Sequence, residues 1–262
     1  MCNFKSAIVV KDEREKFGFR LLLSPWTESH SELCDIFGLN DNDTRIDFAK
    51  IEFSPDTIEN SHLPEKYNLK IDEDRTPDWF DNDIREKVIE KMTFYIKSIL
   101  ITGKHRILIG KQFIVCPNAN IKLIKNCIIY SINSAQIQNV YDSVQIENVY
   151  GSAQIENVYD SVQIQNVSGS AQIENVYGSA QIRNVSGSAQ IENVYDSVQI
   201  KNVYDSVQIQ NVSGSAQIKN VSGSAQIENV SGSAQIENVS GSAQIKNVYG
   251  SAKIINDLSK KK

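Results

Sequence analysis

Val140-Tyr141-Asp142-Ser143-Val144-Gln145-Ile146-Glu147-Asn148 is a nine-residue phrase that decides the fold. Thirteen uninterrupted copies fill residues 140–256, with the consensus Val-(Tyr/Ser)-(Gly/Asp)-Ser-(Ala/Val)-Gln-Ile-x-Asn. The last, Val248-Tyr249-Gly250-Ser251-Ala252-Lys253-Ile254-Ile255-Asn256, is the most degraded, and residues 131–139 form an imperfect leading copy. A strict short period means stacked, nearly identical units, each touching its neighbours. Gly, Ser, Asn, Val and Ile dominate the unit and give no 3.6-residue apolar stripe, so it is not a helix. Ala/Val and Ile flank Gln two apart, which is strand alternation: Ala153 and Ile155 inward, Gln154 outward. Val follows Ile by three and shares its side only if the chain turns between them. Asn is the expected corner there, and Gly-Ser or Asp-Ser the second. Asn148, Asn157, Asn166 and their successors should form amide columns along the axis.

Nine residues cannot close a coil around a core, so a coil takes two units or three. Stacking every second unit aligns Tyr141, Tyr159, Tyr177 and Tyr195 in a run of four; grouping by threes gives a longest run of three. The reading is two units per coil, about six and a half coils and roughly 30 Å of repeat at the strand spacing. The freely varying eighth position, x, faces solvent.

The chain reads as an α+β domain over 1–115, a transition over 116–139, a parallel β-solenoid over 140–256 and a basic tail over 257–262. Residues 7–10 and 17–23 are strand-like around a charged turn. Ser29 and Glu32 have capping-box spacing before a short helix ended by Gly38. Residues 45–53 are strand-like, but Ile46 and Phe48 are out of phase with Ile51 and Phe53, which suggests a bulge. Residues 67–71 are a further strand. Thr76-Pro77-Asp78 predicts the start of a helix running to about Ile101, with Ile84, Val88, Met92, Tyr95, Ile96 and Ile99 on one face. Residues 106–115 and 121–129 read as strand pairs leading into the solenoid, with bulky Phe113, Ile124 and Ile128 where the repeats carry Ala. A solenoid end exposes unpaired backbone, and the N-terminal domain is the expected cover.

The net charge is −5, no basic stripe is apparent along the repeats, and nucleic acid is not expected as a partner. Cys2, Cys34, Cys116 and Cys127 have neither CxxC nor regular spacing, which argues against a disulfide framework or zinc site. The start lacks a signal-peptide layout and no apolar run reaches membrane-span length, so a cytoplasmic location and no membrane partner are expected.

The nine-residue period resembles that of RTX calcium β-rolls, whose unit is Gly-Gly-x-Gly-x-Asp-x-apolar-x. That resemblance implies a parallel solenoid, with calcium held through an Asp in every unit. Here Asp stands in four units of thirteen (Asp142, Asp160, Asp196 and Asp205) and no paired glycines precede it, so neither calcium nor another cofactor is expected. Ala-Gln-Ile-Glu-Asn fits one side of a pentapeptide-repeat coil, but Val-Tyr-Gly-Ser does not fit the next. Met1-Cys2-Asn3-Phe4-Lys5 resembles the start of uncharacterised proteins from phages and gut bacteria, which implies no activity but adds the virion as a second location.

Cys2 is the sharpest catalytic candidate. Removal of Met1 would leave an N-terminal Cys whose amine could act as base, with Lys5 lowering the thiol pKa and His30 orienting or donating a proton. Against that, Cys2 also suits the start of a strand. The acids at 72–74, 78, 81 and 83 read as loop and helix-start residues rather than a metal site. No phosphate loop or nucleophile elbow is present. The leading expectation is a non-enzymatic protein that presents long regular faces to a protein or another repetitive partner, a second copy included, with Tyr141, Tyr159, Tyr177 and Tyr195 as the contact face. The alternative is an enzyme within residues 1–115 that uses the solenoid as a scaffold.

Overall fold

The computed structural model describes residues 5–24, 27–40, 48–72, 76–110 and 112–259. Cys2, Arg45, Ile46, the acids at 73–74 and the terminal lysines lie outside the described residues. Strands β1 (Lys5–Lys11), β2 (Phe19–Leu22), β3 (Phe48–Pro55) and β4 (Tyr67–Ile71) form an antiparallel sheet ordered β2-β1-β3-β4. Helix α1 (His30–Phe37) is capped as its sequence dictates: the Ser29 side chain accepts from the Glu32 N–H, and Gly38 closes the other end at φ 65°.

No bulge is needed in β3. Its register with β1 is unbroken from Phe48 opposite Val10 to Phe53 opposite Lys5. Both faces of the sheet are covered, so alternate residues are buried on opposite sides. Phe48 packs with Ile8, Leu33 and Cys34 beside α1, whereas Ala49, Ile51 and Phe53 point the other way, all fully buried.

Helix α2 (Asn82–Ile99) starts later than Thr76-Pro77 implies. Pro77 instead opens a separate turn, its carbonyl accepting from the Phe80 N–H at 2.9 Å, and Phe80 is buried. Asp81 is the true cap, accepting from the Ile84 N–H at 2.9 Å. Val88, Met92, Ile96 and Ile99 form the buried stripe. The helix ends at Ile99 and the chain passes directly into β5 (Leu100–Ile101), while Gly103, at φ 74°, turns it into β6 (Lys104–Ile109).

Contacts divide the chain into residues 1–100 and 101–262. The second unit is a parallel β-solenoid of two sheets, one of nine strands and one of ten, between which successive strands alternate. Within the repeats, residue i pairs with i+18: Ile137 with Ile155, Asn139 with Asn157, Val140 with Val158. Two units therefore close one coil. Ala/Val, Ile and Val are buried in every inner coil and Gln is exposed throughout, as the alternation predicts. Ile and Val three residues apart both reach the core within one strand: the corner expected at Asn lies inside it, neither x nor Asn is buried, and x drops out of the ladder, Ile137 pairing with Ile155 and then Asn139 with Asn157.

Asn stacks as a ladder. Each amide nitrogen donates to the amide oxygen of the Asn one coil earlier, from Asn157 on Asn139 at 3.1 Å to Asn256 on Asn238 at 2.9 Å. The second corner is a tight turn whose first central residue, Gly or Asp, has positive φ. Gly169 shows why glycine dominates there: an added Cβ would lie 3.0 Å from the backbone nitrogen of Gly151 in the coil below.

The solenoid begins well before the repeat. β6, β7 (Gln112–Val115), β8 (Asn120–Lys125) and β9 (Ile128–Asn133) are already rungs of the two sheets. Their coils are shorter: Lys104 pairs with Asn120, 16 residues on, and Ile128 with Gln145, 17 on. The turns show the reason, since Gly110, Asn118, Asn126, Ser134 and Asp142 take positive φ at eight-residue spacing before the nine-residue repeat sets in. The Ala slot is not enlarged in these coils. Ala119, Cys127 and Ala135 occupy it, while Ile124 pairs with Val140, Ile128 with Gln145 and Phe113 with Ile129.

Candidate binding surface

Lys5 and His30, the two sequence candidates of the first unit among the described residues, are held by different partners. Lys5 is almost wholly buried at the start of β1; its ammonium donates to the Ser24 carbonyl at 2.6 Å and to Glu28 Oε1 at 2.7 Å, and stands 5.7 Å from the centre of the Tyr95 ring. The other oxygen of Glu28 accepts from the Ser6 N–H at 2.6 Å. Burial lowers the Lys5 pKa, and Glu28 works in the opposite direction. The same burial, with the Glu28 charge nearby, pushes the Tyr95 phenol up to about 12. His30 has other partners: Nδ1 lies 2.9 Å from Asp72 Oδ2, and Nε2 lies 3.1 Å from the Ile51 carbonyl oxygen. Both are acceptors, so the ring satisfies both only when both nitrogens carry hydrogen. These bonds tie the loop before α1 to β1 and the sheet, and they account for Lys5 and His30 in structural terms.

The solenoid surface is built differently, from columns. Tyr141, Tyr159, Tyr177 and Tyr195 stack ring on ring with centroids 4.5, 5.1 and 5.1 Å apart and planes within 13°. The spacing follows from the rungs: side chains at one unit position are carried past each other at about the 4.8 Å interstrand distance, close to the separation of stacked rings. Partial burial in the stack, with the adjoining phenols, raises the pKa of Tyr159 and Tyr177. The stack ends where Ser213 replaces Tyr. Tyr249 shares the column but lies beyond Ser213 and Ser231, Tyr204 belongs to the other column, and both are exposed.

Asp at the turn is a structural residue. Asp196 Oδ2 accepts from the Gly178 N–H and Asp205 Oδ2 from the Gly187 N–H, each at 3.0 Å, and Asp142 pairs with Lys125 at 2.9 Å. The carboxylate thus satisfies a turn N–H in the coil before it. Among the described residues no three His, Cys, Asp or Glu side chains are placed to share a metal ion, and no helix is long and apolar enough to cross a membrane.

Position eight shows a pattern that linear reading hides. Consecutive units lie on opposite sheets, so the exposed x residues sort into two columns. The nine-stranded sheet carries Glu156, Glu174 and Glu192 on successive rungs, along an open groove of about 840 Å³ shared with Gln154, Gln172 and Gln190. The ten-stranded sheet carries Arg183, Lys201 and Lys219 on successive rungs. A short basic stripe does therefore exist, contrary to the reading along the chain.

No family model, curated protein or solved structure matches this chain.

Proposed function

We propose that this is a non-enzymatic structural and binding protein whose solenoid offers a regular surface to a repetitive or extended partner. The observation that carries the reading is the unbroken stack of Tyr141, Tyr159, Tyr177 and Tyr195. Such a stack is a rigid strip of aromatic area with polar tips, chemistry favoured at interfaces, repeated at one-rung intervals. A partner with its own short period meets the same group at every step and gains from many weak contacts at once. The bonds that occupy Lys5 and His30 also favour this reading over catalysis in the first unit.

The test is co-purification from the native source with the full chain, comparing wild type, Tyr159→Ser/Tyr177→Ser and Tyr204→Ser/Tyr249→Ser. Ser already occupies this position in other units, so all three should fold. The reading expects a bound component lost only when the ladder is broken. Equal recovery with all three would refute it.

A further inference from the structure

We infer that copies of this chain associate side by side, the glutamate run of one seated on the arginine–lysine run of the next. This goes beyond the partner reading above and does not rest on the tyrosine ladder. Glu156, Glu174 and Glu192 are exposed on the nine-stranded sheet; Arg183, Lys201 and Lys219 are exposed on the ten-stranded sheet. Among the described residues none of the six is in an ion pair within the chain. Each run stacks three like charges at the rung spacing of about 4.8 Å, an arrangement that repels itself until an opposite charge faces it.

The occupant is set by period and sign. Both runs are built on the same 18-residue coil, so a second copy presents three cations at the spacing of the three anions. Position eight tolerates Glu, Gln, Lys, Arg and Ile across the units, yet three acids run together on one sheet and three bases on the other; outside these runs Lys246 lies on the nine-stranded sheet and Glu147 and Glu237 on the ten-stranded sheet. In one parallel register, residue n of one copy faces n+27 of the next. Glu156 then meets Arg183, Glu174 meets Lys201 and Glu192 meets Lys219. Gln138 meets Gln165, Gln210 meets Glu237 and Glu228 meets Ile255, with no like charges opposed. The antiparallel register that also sets three acids on three bases, Glu156 on Lys219, Glu174 on Lys201 and Glu192 on Arg183, sets Glu228 against Glu147. The favoured offset is one and a half coils, roughly 7 Å along the axis. Each copy uses one sheet to bind and leaves the other open, so the contact is heterologous and does not close: it generates rows rather than dimers. Charged rims govern register and encounter, so assembly should weaken with salt.

The test is reciprocal charge reversal in the full chain, read by sedimentation velocity at about 20 mM and about 300 mM salt, where screening differs severalfold. Wild type should form concentration-dependent species larger than a monomer at the lower salt and lose them at the higher. Glu156→Lys/Glu174→Lys/Glu192→Lys should sediment as a monomer, because both its sheets are then basic. Arg183→Glu/Lys201→Glu/Lys219→Glu should do the same with both sheets acidic. Mixing the two triple variants should restore large species, which neither forms alone. Circular dichroism confirms that each variant is folded. A wild type that stays monomeric at the lower salt, or assembly that survives either reversal, would overturn the inference.

Discussion

Asn193→Ala tests the side-chain ladder where it is most connected. Asn193 donates to Asn175 at 2.9 Å and accepts from Asn211 at 2.9 Å, so truncation removes two bonds and leaves one acceptor and one donor without their partners. At about 1 kcal/mol per hydrogen bond the loss is about 2 kcal/mol. Asn247 makes only one such bond, donating to Asn229 at 3.0 Å, so Asn247→Ala should cost about half as much. Asn193→Asp separates the two roles, since it can accept from Asn211 but cannot donate to Asn175; its cost should be at least that of one lost bond. Urea titration followed by circular dichroism gives the comparison, each variant measured against wild type so that incomplete cooperativity of a repeat array cancels. Equal losses for Asn193→Ala and Asn247→Ala, or none for either, would refute the account of the ladder as a continuous chain of bonds.

Ile191 is 1% exposed and its neighbour Glu192 faces solvent. Ile191→Asp should therefore cost at least about 3 kcal/mol in denaturant titration while Glu192→Lys leaves stability nearly unchanged; equal effects would show the inward and outward assignment to be wrong. Gly214 and Gly250 both have positive φ, but a Cβ at Gly214 would lie 2.7 Å from the Asp196 nitrogen, against 3.5 Å for the nearest atom at Gly250. Gly250→Ala should cost about 1 kcal/mol for its backbone alone and Gly214→Ala at least about 2, as melting will show; the reverse order would contradict the stacking of the turns. Tyr159 and Tyr177 have raised pKa values, so the fold favours the neutral phenol. That stabilisation is complete below about pH 10, the unfolded value, and is lost as pH rises through the higher folded values. The melting temperature should fall as pH rises above about 10, and fall less in Tyr159→Phe/Tyr177→Phe; equal slopes would remove the ladder as a cause.

Much of this was legible because an 18-residue coil made of two nine-residue units copies each local rule along the whole array. The Tyr and Asn columns, the inward Ile and the two-unit coil all follow from position within the repeat. The strands at 106–115 and 121–129 were legible, but not that they are already coils of the solenoid, because their eight-residue units share little sequence with the repeat. Only Gly110, Asn118, Asn126 and Ser134, each suited to or tolerant of positive φ and eight apart, mark them. The phase change in β3 misled because burial on both faces of a sheet mimics a bulge in one dimension. Thr76-Pro77 misled because Pro favours a free-standing turn as readily as a first helical turn, and Asp81 then offers a better cap. The charge runs at position eight were invisible for a different reason. Neighbours in sequence lie on opposite sheets, so the acidic and basic residues look mixed until the coil length is known.

The central claim is the two-unit coil, and one distance tests it. Spin labels at Gln138→Cys and Glu228→Cys both sit at exposed position eight of the nine-stranded sheet, five rungs apart by the observed pairings. Pulsed dipolar spectroscopy should give a separation centred near 24 Å, five rungs at about 4.8 Å each. A coil of three units would spread the same 90 residues over about three and a third rungs, or roughly 16 Å of axial rise, and would place the labels on different sides. A distribution centred near 24 Å is what the account predicts; one matching the three-unit geometry would contradict it.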